Sequence, residues 1–212
     1  MNRELYTGVL TNNTFANSTS ALLPISDIIT HFNWNNIFGN DNPVEIDLGC
    51  GDGGFLVTYA QVHPKINLFG TERLMGRLNK IIRKQAQLQI NNLKVARIES
   101  SYFIKYLVPP NSLSAIHLYF PDPWPKKRHE KHRLVQAGFA HDCFNAINFT
   151  GAIYIRTDNV DYYEQMCEVF KNEKGLTEVE TPEHLKTFQT DFEKQWIAQG
   201  LPTNYATYKK IN

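Results

Sequence analysis

The residues with the clearest chemical meaning lie close together in segment 120–133. Asp122 stands between two prolines, and Trp124 follows two residues later. Five lysines or arginines then occur within residues 126–133, against one acid, Glu130. Because proline restricts its own backbone and that of the residue before it, Asp122 is expected on a stiff, extended loop. We interpret the segment as a carboxylate and an aromatic ring that hold a base, beside cations that hold phosphates. The alternative is a proline-rich surface turn before a solvated helix end.

A second group of candidate residues surrounds a glycine-rich turn. Gly49, Gly51 and Gly54 fit the dinucleotide pattern G-x-G-x-x-G, and they fit the shorter nucleoside pattern G-x-G equally well. Glu72 ends the next predicted strand, where a carboxylate accepts hydrogen bonds from the ribose hydroxyls of an adenosine ligand. These residues predict a site for an adenosine-containing ligand and leave NAD and S-adenosylmethionine both open.

Two features favour S-adenosylmethionine over NAD. The chain of 212 residues has no room for the catalytic domain that most nicotinamide dehydrogenases add. Three acids surround the turn, Glu45, Asp47 and Asp52, and they would repel a pyrophosphate but suit an ammonium and a sulfonium. Glu99, after the third predicted strand, could accept a hydrogen bond from the adenine amino group. Each of these acids could instead cap a helix or face solvent.

The elements that must position these residues alternate between strand and helix. The predicted strands are 44–48, 66–71, 92–98, 114–119, 152–156, 176–181 and 205–211. The predicted helices are 26–38, 54–62, 73–89, 101–107, 131–149, 160–172 and 192–198. This alternation predicts an α/β fold, a Rossmann-like doubly wound sheet of seven mainly parallel strands with an antiparallel C-terminal hairpin. Residues 1–25 are expected to be poorly ordered, and residues 26–212 to form a single domain.

Composition limits the classes of protein that this chain can be. A hydrophobic content of 42% with 20% charged residues is typical of a globular domain. The net charge is only +1, so a nucleic-acid partner must be attracted by a local patch. The three cysteines, Cys50, Cys143 and Cys167, are odd in number and far apart, which argues against disulfides and against a zinc site. With neither an apolar run of membrane-spanning length nor a secretory signal, we expect a cytoplasmic protein without membrane or metal partners.

Five segments in this order resemble the bacterial tRNA (guanine-N7)-methyltransferases, a family of class I S-adenosylmethionine-dependent enzymes. The segments are 45–53, 70–72, 120–129, 157–158 and 190–193. The resemblance spans about residues 44–208, and the Pro-Asp-Pro-Trp segment with its basic tail is its most specific part. It implies that tRNA is the partner and that N7 of the variable-loop guanine, position 46 of the tRNA, is methylated.

The resemblance also assigns roles to particular residues. It implies that four acids bind S-adenosylmethionine, with Asp122 also the catalytic acid: Glu45, Glu72, Glu99 and Asp122. Gly49 and Gly51 of the turn complete the predicted cofactor site. The substrate contacts that the resemblance implies are Lys126, Asp158, Thr190, Asp191, Phe192 and Glu193. From the basic run itself, the candidate phosphate contacts are Lys126, Lys127, Arg128, Lys131 and Arg133. Without the resemblance, Thr190 and Glu193 would be read only as a capping box that begins a helix.

The chemistry of guanine N7 fits these residue types. N7 carries an in-plane lone pair and no proton, so no general base is required, and a carboxylate such as Asp122 or Asp158 could stabilise the cationic product. Trp124 could stack on the base or pack in the interior. The alternatives are an adenine amino-group methyltransferase, a non-catalytic module that binds S-adenosylmethionine or RNA, and a nicotinamide reductase. A monomer and a homodimer both remain open.

Overall fold

The seven predicted strands form one sheet. The structure is a computed structural model that describes residues 20–211, apart from the side chain of Lys127. The strands are β1 Val44–Leu48, β2 Asn67–Glu72, β3 Leu93–Arg97, β4 Leu113–Tyr119, β5 Ile147–Thr157, β6 Leu176–Val179 and β7 Asn204–Lys210. Their spatial order is β3-β2-β1-β4-β5-β7-β6. The pairings among β1 to β5 are parallel, whereas β7 pairs antiparallel with both β5 and β6, so the predicted sheet and its antiparallel C-terminal hairpin are confirmed.

Helices cover both faces of the sheet. They are α1 Trp34–Phe38, α2 Gly54–Val62, α3 Met75–Leu88, α4 Ser100–Tyr102 with a π-helical turn at Phe103–Leu107, α5 Ala137–Ala146, α6 Val160–Asn172, α7 Glu183–Lys186 and α8 Asp191–Ala198. One apolar core lies between the sheet and α1, α4, α5 and α6; the other lies beneath α2 and α3. Because helices cover both faces of the parallel strands, β1 and β2 are buried at every position, including the acids Glu45, Asp47 and Glu72, and β4 is buried at every position except Ser114.

Two predicted helices are shorter than expected. Only residues 34–38 of the predicted helix 26–38 are helical, because the Asp27 side chain accepts hydrogen bonds from the backbone of Ile29 and Thr30 and fixes a turn there. The predicted helix 131–149 is divided into a 3₁₀-helix at Lys127–His132 and α5. Strand β5 begins at Ile147 because Ile147 pairs with Leu113 of β4.

The segment before residue 26 contacts the domain in its described part. Leu22 forms a parallel bridge with Val95 at the outer edge of β3, and Ala21 and Leu23 are buried. The Lys94 ammonium donates to the carbonyl of Ser20 at 3.0 Å. Residues 20–23 therefore extend the sheet beyond β3, whereas the expectation of poor order for residues 1–19 lies outside the described residues. Within residues 20–211, no helix combines the length and the apolarity needed to cross a membrane.

Candidate active site

A cavity of about 1080 Å³ lies along the edge of the sheet where β1, β2, β3 and β4 end. Its lining includes four of the predicted cofactor-binding residues, Gly49, Glu72, Glu99 and Asp122. Each of them follows a different parallel strand, and the carboxyl ends of parallel strands meet at one edge. The fold therefore brings together residues that are far apart in sequence: Gly49 and Asp122 are separated by 73 positions.

The glycine-rich turn joins β1 to α2 in a conformation that favours glycine. Gly49 and Gly51 have φ values of 80° and 55°, in the left-handed region. The Gly49 amide donates to the Thr71 hydroxyl at 3.2 Å, and the Cys50 amide donates to the Thr71 carbonyl, which fixes the turn against β2. A turn held in this way presents its backbone to a ligand without an intervening Cβ.

Glu72 is oriented by the start of α3. Its Oε1 accepts hydrogen bonds from the amides of Arg73 and Leu74 at 2.7 and 2.8 Å. Its Oε2 lies 3.4 Å from Arg77 Nη1 and makes no other hydrogen bond or ion pair within the described residues. Backbone amides thus hold one oxygen of a buried carboxylate, and the other faces the cavity, where ribose hydroxyls could reach it.

Glu99 is committed to capping α4. Its oxygens accept hydrogen bonds from the Ser101 amide, the Ser101 hydroxyl and the Tyr102 amide at 3.0, 2.6 and 2.8 Å. Burial acts to raise the pKa of Glu99, but the hydrogen bonds from Ser101 and Tyr102 outweigh it and the pKa is lowered. Glu99 is therefore an ionised acceptor at the rim of the cavity.

The three acids around the glycine turn have different surroundings. Neither Glu45 nor Asp47 belongs to the cavity lining, and Glu45 Oε2 lies 2.7 Å from Nε2 of the fully buried His117. Asp52 is bound at the surface by Lys80 at 2.7 Å. Asp47 is only 4% exposed, and its carboxylate makes no hydrogen bond or ion pair with any described residue. Burial raises the pKa of Asp47 to about 7, with Arg156 lowering it and Glu72 raising it further.

Glu45, a predicted cofactor-binding residue, has an internal partner in this arrangement. Glu45 and Asp47 share one face of β1, but Glu45 lies two residues, about 7 Å, further from the turn. Burial lowers the pKa of His117, although Glu45 acts to raise it, so the ring is neutral. Its Nε2–H donates to Glu45, and its Nδ1 accepts from the Tyr119 hydroxyl at 2.8 Å. Glu45 is thus a partner within the core.

The Asp122 loop has an unusual backbone. Phe120 and Trp124, which flank the loop, have φ values of 51° and 44°, a region that a bulky residue seldom adopts. Asp122 is exposed on the loop and lines the cavity. Trp124 is 39% exposed, lines the same cavity and contacts the ring of His132, with 5.2 Å between centroids. Both the carboxylate and the indole therefore remain available to a ligand.

Arg133 is a predicted phosphate contact, and its side chain is buried and bound inside the protein. It is 4% exposed, its Nε donates to the Pro123 carbonyl at 2.8 Å, and its Nη1 donates to Gln165 at 2.7 Å. Its Nη2 is bound by Asp161, and the guanidinium lies 4.9 Å from the centre of the Tyr162 ring. Arg133 is an internal anchor that ties the Asp122 loop to α6.

The other described cations of the basic run remain available. Lys126, Arg128 and Lys131 are exposed and make no ion pair within the described part of the chain. The Arg128 Nε contacts the ring of His129 at 3.3 Å. The side chain of Lys127, another predicted phosphate contact, lies outside the described residues. The run thus presents at least three free cations beside the cavity.

Asp158 lies close to the Asp122 loop and outside the cavity lining. It is half-buried and directly follows β5, and the Phe120 amide donates to the carbonyl of Arg156 on that strand at 2.8 Å. The carboxylates of Asp122 and Asp158 therefore follow adjacent parallel strands at the same edge of the sheet.

The segment 190–193 forms the capping box that its sequence indicates. Thr190 accepts from the Glu193 amide, and Glu193 accepts from the Thr190 amide. Two of the four predicted substrate contacts in this segment are exposed: 48% of Phe192 and 46% of the Asp191 side chain are accessible to solvent. A Cβ on Gly54 would lie 2.5 Å from the Asp191 carboxyl, so the start of α8 closes directly onto the start of α2.

Glu193 instead forms a buried ion pair that sequence reasoning did not find. Its Oε2 lies 3.0 Å from Arg156 Nη1, and its Oε1 accepts from the Tyr205 hydroxyl at 2.7 Å. Arg156 is 1% exposed, donates to the carbonyls of Leu185 and Phe188, and lies 4.0 Å from the centre of the Tyr119 ring. The pair anchors α7 and α8 on β5. Glu193, a predicted substrate contact, is therefore buried, with both of its carboxylate oxygens bound inside the domain.

The chain is similar in sequence to a methyltransferase family and to several of its members. A family model described as "Putative methyltransferase" matches residues 41–205. The tRNA (guanine-N(7)-)-methyltransferase of Geobacter metallireducens is 31% identical over 202 residues, which cover 91% of this chain and 94% of that one. Those of Chlamydia caviae and Bacillus subtilis are 31% and 33% identical and cover 84% and 80% of this chain, and 80% and 81% of their own lengths.

Solved structures share the fold at low sequence identity. The 16S rRNA methyltransferase KamB has a TM-score of 0.62 at 13% identity over 84% of this chain and 92% of its own. The tRNA (m1A58) methyltransferase TrmI from Aquifex aeolicus has a TM-score of 0.55 at 13% identity over 82% of this chain and 64% of its own.

The doubly wound sheet is a Rossmann-like fold, which the solved structures share, and the matching family model makes this chain an S-adenosylmethionine-dependent methyltransferase. The family model and the relatives are more specific. The chain belongs to the tRNA (guanine-N7)-methyltransferase family, and the resemblance drawn from five sequence segments is confirmed.

Proposed function

We propose that this protein transfers the methyl group of S-adenosylmethionine to N7 of a guanine in the variable loop of tRNA, in the cytoplasm. One observation carries the proposal. A single cavity brings the glycine turn, Glu72, Asp122 and Trp124 together beside free cations, in a chain of this family. No cluster of three or more metal-ligating side chains occurs among the described residues, and the proposed reaction uses none.

The residues present fit S-adenosylmethionine. The turn at Gly49 leaves its backbone open to the ligand, and Glu72 Oε2 would accept from the ribose hydroxyls. Asp47 is a buried carboxylate without a partner among the described residues, which suits the ammonium group of the ligand. In this proposal Asp47, one of the three acids around the turn, binds the ammonium group, and Glu45 stays a predicted cofactor-binding residue. When bound, S-adenosylmethionine supplies an electrophilic methyl group on a sulfonium.

The side chains of this protein would position the guanine and stabilise its charge. The N7 lone pair is the nucleophile, so the chain has no proton to remove, and orientation is the main contribution that it makes. Positive charge develops on the base as N7 gains the methyl group, and the Asp122 carboxylate would stabilise that charge. Trp124 would stack on the extruded base, since its indole is exposed in the cavity. The free cations Lys126, Arg128 and Lys131 would hold the flanking phosphates.

The test is methyl transfer to unmodified tRNA transcripts. Purified protein, S-adenosylmethionine and transcripts are incubated, and the methylated nucleotide is mapped by nuclease digestion and mass spectrometry. We expect 7-methylguanine in the variable loop, and a fall in kcat of about 10²-fold or more in Asp122→Ala, since electrostatic groups of this kind contribute that much. Glu130→Ala, at the 3₁₀-helix near the same loop, is the control and should keep its activity.

The other outcomes discriminate the alternatives. A methyl group on adenine would identify an amino-group methyltransferase. Binding of S-adenosylmethionine without transfer to any tRNA would identify a binding module and overturn the proposal. A thermal shift with NAD and none with S-adenosylmethionine would identify a nicotinamide enzyme.

A further inference from the structure

Three exposed cations line the cavity on the side away from the Asp122 loop. Arg73 follows β2, Arg97 ends β3, and Lys105 lies on the helical turn after α4. All three belong to the cavity lining, as does Tyr106 next to Lys105. These four residues, which we call the rim site, lie outside every sequence segment that carries the family resemblance.

The rim cations differ from the neighbouring cations of α3 in their partners. On α3, Arg77 pairs with Glu72 at 3.4 Å and Lys80 with Asp52 at 2.7 Å. Arg73, Arg97 and Lys105 make no ion pair within residues 20–211. The Nε of Arg97 donates to the Arg73 carbonyl at 3.1 Å, which holds the two residues together and leaves both Nη atoms of Arg97 free. Acids within the domain therefore pair with Arg77 and Lys80 of α3. Arg73 and Lys105 act to lower the pKa of the nearby Glu99 and Asp142, but no acid forms an ion pair with a rim cation within residues 20–211.

The order of the strands places free cations on both sides of the acids. Arg97 follows β3 at one end, and Lys126, Arg128 and Lys131 follow β4 at the other. Three strand spacings, about 14 Å, separate the ends of β3 and β4. Glu72 ends β2 within this interval, and Asp122 follows β4 at its boundary, ahead of the basic run. A polyanion crossing the cavity would thus meet cations before and after the reactive position.

Tyr106 adds an aromatic surface to the rim site. Its ring is 44% exposed and rests against Tyr102, with 4.8 Å between centroids, while the Lys105 ammonium lies 5.1 Å from its centre. An exposed ring beside unpaired cations is the combination with which proteins hold single-stranded nucleic acid.

We propose that Arg73, Arg97, Lys105 and Tyr106 form a second RNA-binding surface. The cations bind backbone phosphates, and Tyr106 stacks on an unpaired base, on the side of the target nucleotide opposite the Lys126–Lys131 run. The proposal rests on the proposed function, since it takes as its ligand an RNA whose target base occupies the cavity.

The test is the salt dependence of tRNA binding, measured with S-adenosylhomocysteine present. The variants are Arg73→Gln, Arg97→Gln, Lys105→Gln and the triple variant, and Lys80→Gln is the matched control because Lys80 is paired with Asp52. We expect each rim variant to lower the slope of log Kd against log salt by about 0.7–0.9, and the triple variant by about 2–3. Lys80→Gln should leave the slope unchanged. Tyr106→Leu should weaken binding roughly tenfold at an unchanged slope.

The same samples are assayed for methyl transfer and for affinity toward S-adenosylmethionine. The rim site predicts an unchanged KM for S-adenosylmethionine and a raised KM for tRNA. A raised KM for S-adenosylmethionine with unaltered RNA binding would assign these arginines to the cofactor and overturn the proposal. Wild-type methylation with unaltered variant slopes would overturn the rim site alone. Wild-type protein that methylates no tRNA would overturn the proposed function and the rim site with it.

Discussion

At the scale of single residues, the most informative side chain is Asp47. A carboxylate that is only 4% exposed and has no hydrogen-bond partner among the described residues is unusual, because burial removes most of its water and no donor replaces it. Such a group opposes folding while it is charged. It becomes favourable when a cation arrives, and this is consistent with a ligand-binding role at the end of β1.

We therefore predict that Asp47→Asn stabilises the unliganded protein at high pH. The pKa of Asp47 is raised by burial from 3.8 to about 7, so between these values the folded state keeps a proton that the unfolded state has released. Stability thus falls as pH rises through this window. Urea unfolding from about pH 5 to pH 8 should show that Asp47→Asn is more stable than wild type at the upper end, with a difference that shrinks toward pH 5. The exposed Asp41→Asn is the control, and an equal offset at every pH would contradict this reading of Asp47.

Arg133 and Lys131 are close in sequence, but substituting them should have different effects on the free energy of unfolding and on the salt dependence of tRNA binding. Arg133→Ala removes the hydrogen bonds to Pro123 and Gln165, so we expect a loss of about 2–4 kcal/mol in the free energy of unfolding. Its kcat should fall as the Asp122 loop loosens, while the salt slope of tRNA binding stays constant. Lys131→Ala should keep its stability within about 0.5 kcal/mol and lower that slope by about 0.7–0.9. A reduced slope in Arg133→Ala would restore Arg133 as a phosphate contact.

At the scale of elements, the structure shows what holds α8 over the glycine turn. Arg156 on β5 and Glu193 on α8 are both buried and bound to each other, and Tyr205 at the start of β7 completes the contact. Gly54 then admits the Asp191 carboxyl at a distance that no Cβ would allow. The segment 190–193 is positioned from three separate elements.

We predict that Glu193→Ala destabilises the protein by about 3–5 kcal/mol, because it leaves the Arg156 guanidinium buried without its counter-ion. Thermal or urea unfolding measures this directly. Asp191→Ala is the matched control from the same helical turn; since Asp191 is half-exposed, its stability should change by less than about 0.5 kcal/mol. If Glu193→Ala were as stable as wild type yet bound tRNA poorly, Glu193 would be a substrate contact after all.

At the scale of the whole molecule, the sheet and the edge that carries the cavity were predictable because the alternation of strand and helix, the glycine turn and the acids at the strand ends are local patterns. The internal contacts of Arg133, Glu193 and Glu45 were not. Their partners Gln165, Arg156 and His117 lie 32, 37 and 72 residues away in sequence. A charge run shows how many cations occur and gives no sign of which ones an internal acid will bind. Strand β5 was predicted to begin too late for the same reason, since its first pairing is with the distant Leu113.

The insertion of β7 between β5 and β6 has a consequence for the order of folding. Strand β6 is made before β7, yet within the described chain it reaches the sheet only through β7. Until β7 docks, β5 presents an open edge that can pair with other chains. The same docking brings Tyr205 to Glu193, so α8 is secured only then. A nascent chain on the ribosome would therefore assemble the cofactor-binding edge of its sheet first. The substrate side would be complete only when residues 204–210 have emerged. Before then, the open edge of β5 makes the chain most prone to aggregate.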